Sequence, residues 1–202
     1  MSAQPRRRAG FILGAILLAG LLALMLQHSL AAGLALAAAT LSACATAPAI
    51  PPTATNAAFV IERDLAGASV ARGTFRSITG ANRGFTAQLN GTWDGATLTL
   101  VEDFVFDDGK RDRKTWRLQR VSPGNYVGTR EDVVGQAIGV QDGNVFRLEY
   151  DVILPTENGS GRKVHFRDVM ALNAEGDVIN DATVGWFGFR VGSVSLVIER
   201  AP

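Results

Sequence analysis

Two segments of this chain alternate apolar and polar side chains with a period of two. Leu98, Leu100, Phe104 and Phe106 fall on one face of an extended backbone, while Thr97, Thr99 and Asp103 fall on the other. From Val145 the alternation is cleaner: Phe146, Leu148, Tyr150, Val152 and Leu154 point one way, and Arg147, Glu149 and Asp151 the other. A helix cannot satisfy this order, because its i, i+3, i+4 stripe would set Arg147 or Glu149 beside the aromatic rings. Both segments are therefore half-buried strands.

Turn-forming pairs punctuate the chain after Phe59: Asn90-Gly91, Asp94-Gly95, Asp108-Gly109, Pro123-Gly124, Asp142-Gly143, Asn158-Gly159 and Glu175-Gly176. Such spacing is the rhythm of hairpins. It predicts strands over 69–78, 84–93, 96–106, 113–121, 125–130, 136–141, 144–154, 163–172, 177–184 and 193–199. No strong amphipathic helix lies between them, and parallel strands would need such crossovers, so the sheet is antiparallel. One apolar face per strand requires a sandwich or a closed barrel. Closure removes sheet edges, and consecutive hairpins favour a meander, so the expected fold is an all-β, antiparallel up-and-down barrel of lipocalin type. A transmembrane barrel would need aromatic girdles, and Trp93, Trp116 and Trp186 are too few for that.

The N-terminal part follows a different pattern. Arg6-Arg7-Arg8 precede an apolar stretch, Phe11 to Ala43, with the charged start and apolar body of an export signal. As one helix it would span roughly 50 Å, against a hydrocarbon core of about 30 Å. Gln27-His28-Ser29 divides it into a membrane-length half and a half sized like a signal core, and Met25 offers an alternative start. The second half ends in Leu41-Ser42-Ala43-Cys44, which looks like a bacterial lipobox, with the single cysteine where acylation needs a thiol. The expected organisation is a signal peptide or membrane segment over 1–43, a lipidated Pro/Ala/Thr tether over 44–58, and a β-barrel domain over 59–202. The tether is too poor in large apolar groups to be expected to pack.

Charge narrows the function. The 202 residues carry 20 basic and 19 acidic side chains, and every acid lies between Glu62 and Glu199. No clustered cationic face exists for a polyanion, so nucleic acid is excluded as a partner by bulk charge. One cysteine permits no internal disulfide. Past Cys44 a single histidine, His165, shares parity with Lys163 and Arg167 and reads as solvent-facing; no Gly-x-Ser-x-Gly elbow accompanies any serine. Neither Cys pairs nor His pairs supply a soft-ligand metal site, and no cofactor is implied. The mixed charges of Asp107 to Lys114 describe a solvated hairpin tip.

Two acids interrupt the apolar faces. Glu102 lies on the face of Leu98, Leu100, Phe104 and Phe106, and Asp168 on that of Val164, Phe166 and Met170. A carboxylate there must be paired, hydrogen-bonded or neutral. Candidate partners are Arg113, Arg117 and Arg130. One reading is an internal Arg–carboxylate network or a bulge. The other places Glu102 and Asp168 in a barrel cavity, holding a ligand's polar head while Trp116, Phe146 and Tyr150 line its apolar part.

The order of several short stretches resembles a family of bacterial envelope lipoproteins of unknown function (family 3833). The similar residues are Leu100-Val101-Glu102-Asp103-Phe104 through Asp108-Gly109, with Arg113 and Trp116; Tyr126-Val127-Gly128 through Asp132-Val133-Val134-Gly135, Ala137 and Gly139; Gly143-Asn144; Asp168 and Met170; Asn180; and Phe187-Gly188-Phe189. Val169 and Trp186 depart from the family pattern. The resemblance implies a lipoprotein address and a β-rich domain, and it supplies no catalytic residue.

These readings lead to a non-catalytic bacterial envelope protein, anchored through lipid on Cys44 and facing the periplasm, whose barrel binds a lipid or other apolar small molecule. Ala45, rather than Asp, after the cysteine favours outer-membrane sorting. The alternative is a structural or assembly lipoprotein acting through an envelope protein partner.

Overall fold

A computed structural model describes residues 45–154 and 161–201. The alternating segments form ten strands: β1 (Gly67–Ser77), β2 (Asn82–Trp93), β3 (Thr97–Phe106), β4 (Arg111–Ser122), β5 (Asn125–Thr129), β6 (Val133–Asp142), β7 (Val145–Leu154), β8 (Arg162–Leu172), β9 (Val178–Trp186) and β10 (Phe189–Arg200). Each pairs antiparallel with its sequence neighbours, and β1 pairs with β10 from Ser69↔Arg200 to Ser77↔Gly192, closing the barrel. Closure satisfies the edge donors and acceptors that an open meander would expose.

The β2–β3 and β3–β4 connections fall at Asp94-Gly95 and Asp108-Gly109, as the turn pairs predict. Asn90-Gly91 does not form a turn. It lies inside β2, where a Cβ on Gly91 would come within 1.8 Å of the Leu65 carbonyl oxygen, so glycine serves close approach rather than chain reversal. The last hairpin turns at Phe187-Gly188, which is not among the turn-forming pairs read from the sequence; β9 and β10 consequently run closer together in sequence than expected.

In an up-and-down barrel the turns alternate between ends. The β1–β2, β3–β4, β5–β6 and β9–β10 turns share one end, and the β2–β3, β4–β5, β6–β7 and β8–β9 turns share the other. The second end is plugged by a short helix, α1 (Ile61–Asp64), which strand-periodicity reading misses. Phe59 and Ile61 are fully buried, and Phe59 meets Phe146 edge-on with centroids 6.5 Å apart. Such burial is worth roughly 2–3 kcal/mol per side chain. Polar contacts hold the plug to the wall: Tyr126 Oη donates to Glu62 at 2.8 Å, and Arg120 Nη1 pairs with the same carboxylate at 3.0 Å.

Residues 45–58 do not behave as a free spacer. Ala45 N donates to Gly188 O at 2.8 Å at one end of the barrel, and Thr55 N donates to Leu172 O at 2.8 Å near the other. Between them Ala54 packs on a small outer-wall cluster of Val145, Val169, Ala171 and Ile179. Large side chains are unnecessary because the strands supply the apolar surface and the strap supplies backbone hydrogen bonds. Cys44, with the signal or anchor segment expected over 1–43, lies outside the described residues.

Candidate functional site

The barrel encloses a chamber of about 640 Å³. Its floor is Ile61 and Leu65 of the plug region, and its rim carries Phe75, Arg83, Phe106, Lys110 and Arg111 from the ends of β1 to β4. The walls are largely apolar because most strands contribute alternate positions, as Leu89, Leu100, Leu148 and Leu196 illustrate. Small residues on β1 and β2, Ala71 and Ala87, leave space that larger side chains would fill.

All five residues assigned to a cavity from sequence (Glu102, Trp116, Phe146, Tyr150 and Asp168) line this chamber. They come from two hairpins, β3–β4 and β7–β8, that the curvature of the barrel brings to face one chamber. Trp116 and Tyr150 contact edge-to-face at 5.0 Å, and Tyr150 stacks on Phe166 at 5.2 Å.

Of the three arginines offered as carboxylate partners, only Arg130 enters the chamber. Arg113 is on the outer wall, paired with Asp103 at 2.5 Å, and Arg117 is exposed. The Arg130 guanidinium lies 4.6 Å from the Trp116 ring centroid and 5.3 Å from that of Tyr150. It donates to Asp132 Oδ1 at 2.7 Å, and its Nη1 stands 4.0 Å from Glu102 Oε2. Asn180, on β9, donates through Nδ2 to Asp168 Oδ1 at 2.8 Å.

Three buried acceptors in this group (Glu102 Oε2, Asp168 Oδ2 and Asn180 Oδ1) receive no hydrogen bond among the described residues. Tyr150 interacts with Asp168 electrostatically without placing its phenol in good hydrogen-bonding geometry on Oδ2. Burial pushes the Glu102 carboxyl up to about 7 against the pull of Arg130, with Asp168 and Asp132 adding to the rise. Burial likewise raises Asp168 to about 6, against the stabilising contacts from Asn180, Tyr150 and Arg130. Near neutral pH the cluster therefore offers acceptor oxygens, an exchangeable carboxyl proton and one guanidinium beside apolar space. That is a binding surface for a molecule with an apolar body and hydrogen-bonding polar groups.

Sequence reasoning missed Asn180 and Asp132 as members of this group, and the plug formed by Phe59, Ile61 and Leu65. The i, i+4 pair Ile61 and Leu65 was the available signal for the plug. His165 is on the outer wall, 2.7 Å from Asp151 Oδ1 and away from the chamber.

The closed meander and its internal chamber define a lipocalin-like barrel. Its fold is similar to that of the S-type phycobiliprotein lyase CPES from Guillardia theta, with a TM-score of 0.51 and 7% identity over 68% of this chain and 88% of the lyase. The chain belongs to the family described as proteins of unknown function, DUF3833, whose profile matches residues 38–200. No curated protein matches it in sequence.

Proposed function

We propose that this protein is a non-catalytic, lipid-anchored envelope protein that takes up an amphipathic small molecule, a lipid in the simplest case. The ligand's apolar part occupies the chamber, and its hydrogen-bond donors meet Glu102, Asp168 and Asn180. The observation carrying this reading is the 640 Å³ chamber, lined by acceptors that receive no hydrogen bond among the described residues and plugged at one end. A barrel whose only task was structural would gain packing energy by filling that space. Anchoring rests on the position of Cys44 after Leu41-Ser42-Ala43. The fold's likeness to a phycobiliprotein lyase supports the small-molecule part and carries no ligand identity.

The test is solvent extraction of the purified full-length chain followed by mass spectrometry, with displacement of a solvatochromic dye such as Nile red as a second readout. A co-purifying amphipathic molecule, or saturable dye binding lost on Ala87→Leu, supports the reading. A clean extract together with no saturable dye binding overturns it.

A further inference from the structure

The β9–β10 hairpin presents three aromatic side chains to solvent: Trp186 is 39% exposed, Phe189 60% and Phe187 82%. Phe187 serves the fold poorly. Its φ of +48° is the sole positive value at a non-glycine position among the described residues, and Gly188 follows at +81°. Two positive φ values at the centre of a two-residue hairpin define a turn that favours Asn-Gly, in which a bulky side chain is strained. A strained and almost fully exposed phenylalanine contributes little to folding, so its use lies outside the barrel.

Two further observations identify the surface it meets. The strap begins on this hairpin: Ala45 N donates to Gly188 O, Arg167 donates to the Ala45 carbonyl, and Ala45 fills the space beside Gly185. The described chain thus begins on the aromatic tip, and the residues that precede Ala45 in sequence are Cys44 and the apolar stretch Phe11–Ala43. Cationic groups also surround the tip. Arg162 lies 4.7 Å from the Trp186 ring centroid, Arg190 follows Phe189, and Arg76 sits on β1 opposite Ser193 of β10. None of these three arginines forms an ion pair among the described residues, and Ile78 beside them is 68% exposed. Aromatic rings with arginines at their base match the interfacial layer of an anionic bilayer.

We propose that the Trp186–Phe189 tip inserts into the headgroup layer of an anionic lipid bilayer. This holds the barrel end bearing the chamber's rim against the membrane. The β1–β2, β3–β4 and β9–β10 turns share that end, so an amphipathic molecule could move between bilayer and chamber without crossing open water. The inference rests on the anchored reading above, and its test separates the two.

Full-length chain is reconstituted into vesicles of phosphatidylcholine and phosphatidylglycerol whose acyl chains are either ordinary or brominated. Bromine quenches only those tryptophans that reach the bilayer, and Trp116 is buried inside the barrel. The expected result is a quenched emission component that is lost in Trp186→Phe and reduced when phosphatidylglycerol is omitted. Phe187→Asn should weaken quenching while raising Tm, because Asn suits the turn; loss of contact with a better fold cannot be attributed to unfolding. Vesicle-bound protein whose emission is identical with both lipids overturns the tip proposal and leaves anchoring intact. Protein that fails to float with vesicles overturns both.

Discussion

Glu102 Oε2 stands 4.0 Å from Arg130 Nη1 inside the barrel, close enough for strong attraction and too far for a hydrogen bond. Arg130 is instead held by Asp132 and by the rings of Trp116 and Tyr150. Glu102 Oε2 consequently accepts no hydrogen bond among the described residues, and burial outweighs the pull of Arg130, so its pKa rises.

Removing that charge should be costly in a pH-dependent way. Arg130→Leu removes the cation that faces Glu102 and leaves Asp132 with only Lys114, at 3.5 Å, and breaking such a buried pair costs about 3–5 kcal/mol. Urea unfolding at pH 8 should show a loss of this order. At pH 5 the loss should shrink, since Glu102 is then largely neutral.

Raised carboxyl pKa values set the sign of the wild-type profile. Between the unfolded values and about 6 for Asp168 and about 7 for Glu102, the folded state binds more protons than the unfolded one. Stability from these groups is therefore greatest below pH 4 to 5 and falls as pH rises to about 7, then levels off. Glu102→Gln removes part of this fall and should stabilise the domain at pH 8 by roughly 1–3 kcal/mol, with little gain at pH 5. Equal effects at both pH values would contradict the assignment.

Filling the chamber should separate binding from folding. Ala87 lines the chamber from β2, and Ala87→Leu directs three added carbons into it. Cavity filling typically adds about 0.5–2 kcal/mol. Thermal unfolding should show an unchanged or raised Tm, while saturable Nile red binding disappears.

The plugged end offers a test of architecture. Phe59→Ala deletes a fully buried ring that meets Phe146, at an expected cost of about 3–5 kcal/mol. Gly91→Ala drives a methyl group into the Leu65 backbone carbonyl, which cannot rotate away, so the plug must shift. Hydrogen exchange should accelerate first over residues 59–66 in both variants, ahead of the strands opposite the plug.

Most of the barrel is written locally. Which side chains of β3 and β7 face inward follows from period-two alternation, because strand geometry fixes side-chain direction without reference to any partner. The same logic marks Glu102 and Asp168 as acids on apolar faces. It cannot choose among Arg113, Arg117 and Arg130, since an arginine's face depends on register and on where a short strand ends; Arg130 lies just beyond β5 and turns inward. Asn90-Gly91 misleads for a related reason: the pair has turn chemistry, but Leu65, just before the neighbouring strand β1, presses on that glycine, a contact set by the β1–β2 register.

Sequence by itself determined the number of strands, their inward faces, the lipocalin-like class and the acids and aromatics of the chamber. These depend on interactions between residues a few positions apart. Only the tertiary structure decided that Glu102, Arg130, Tyr150, Asp168 and Asn180 face one chamber, that α1 seals one end, and that the strap starts on the Trp186–Phe189 tip. Those meetings join β3, β7, β8, β9 and segments outside the sheet, and they depend on strand register and on the path of those segments, which period-two alternation does not encode.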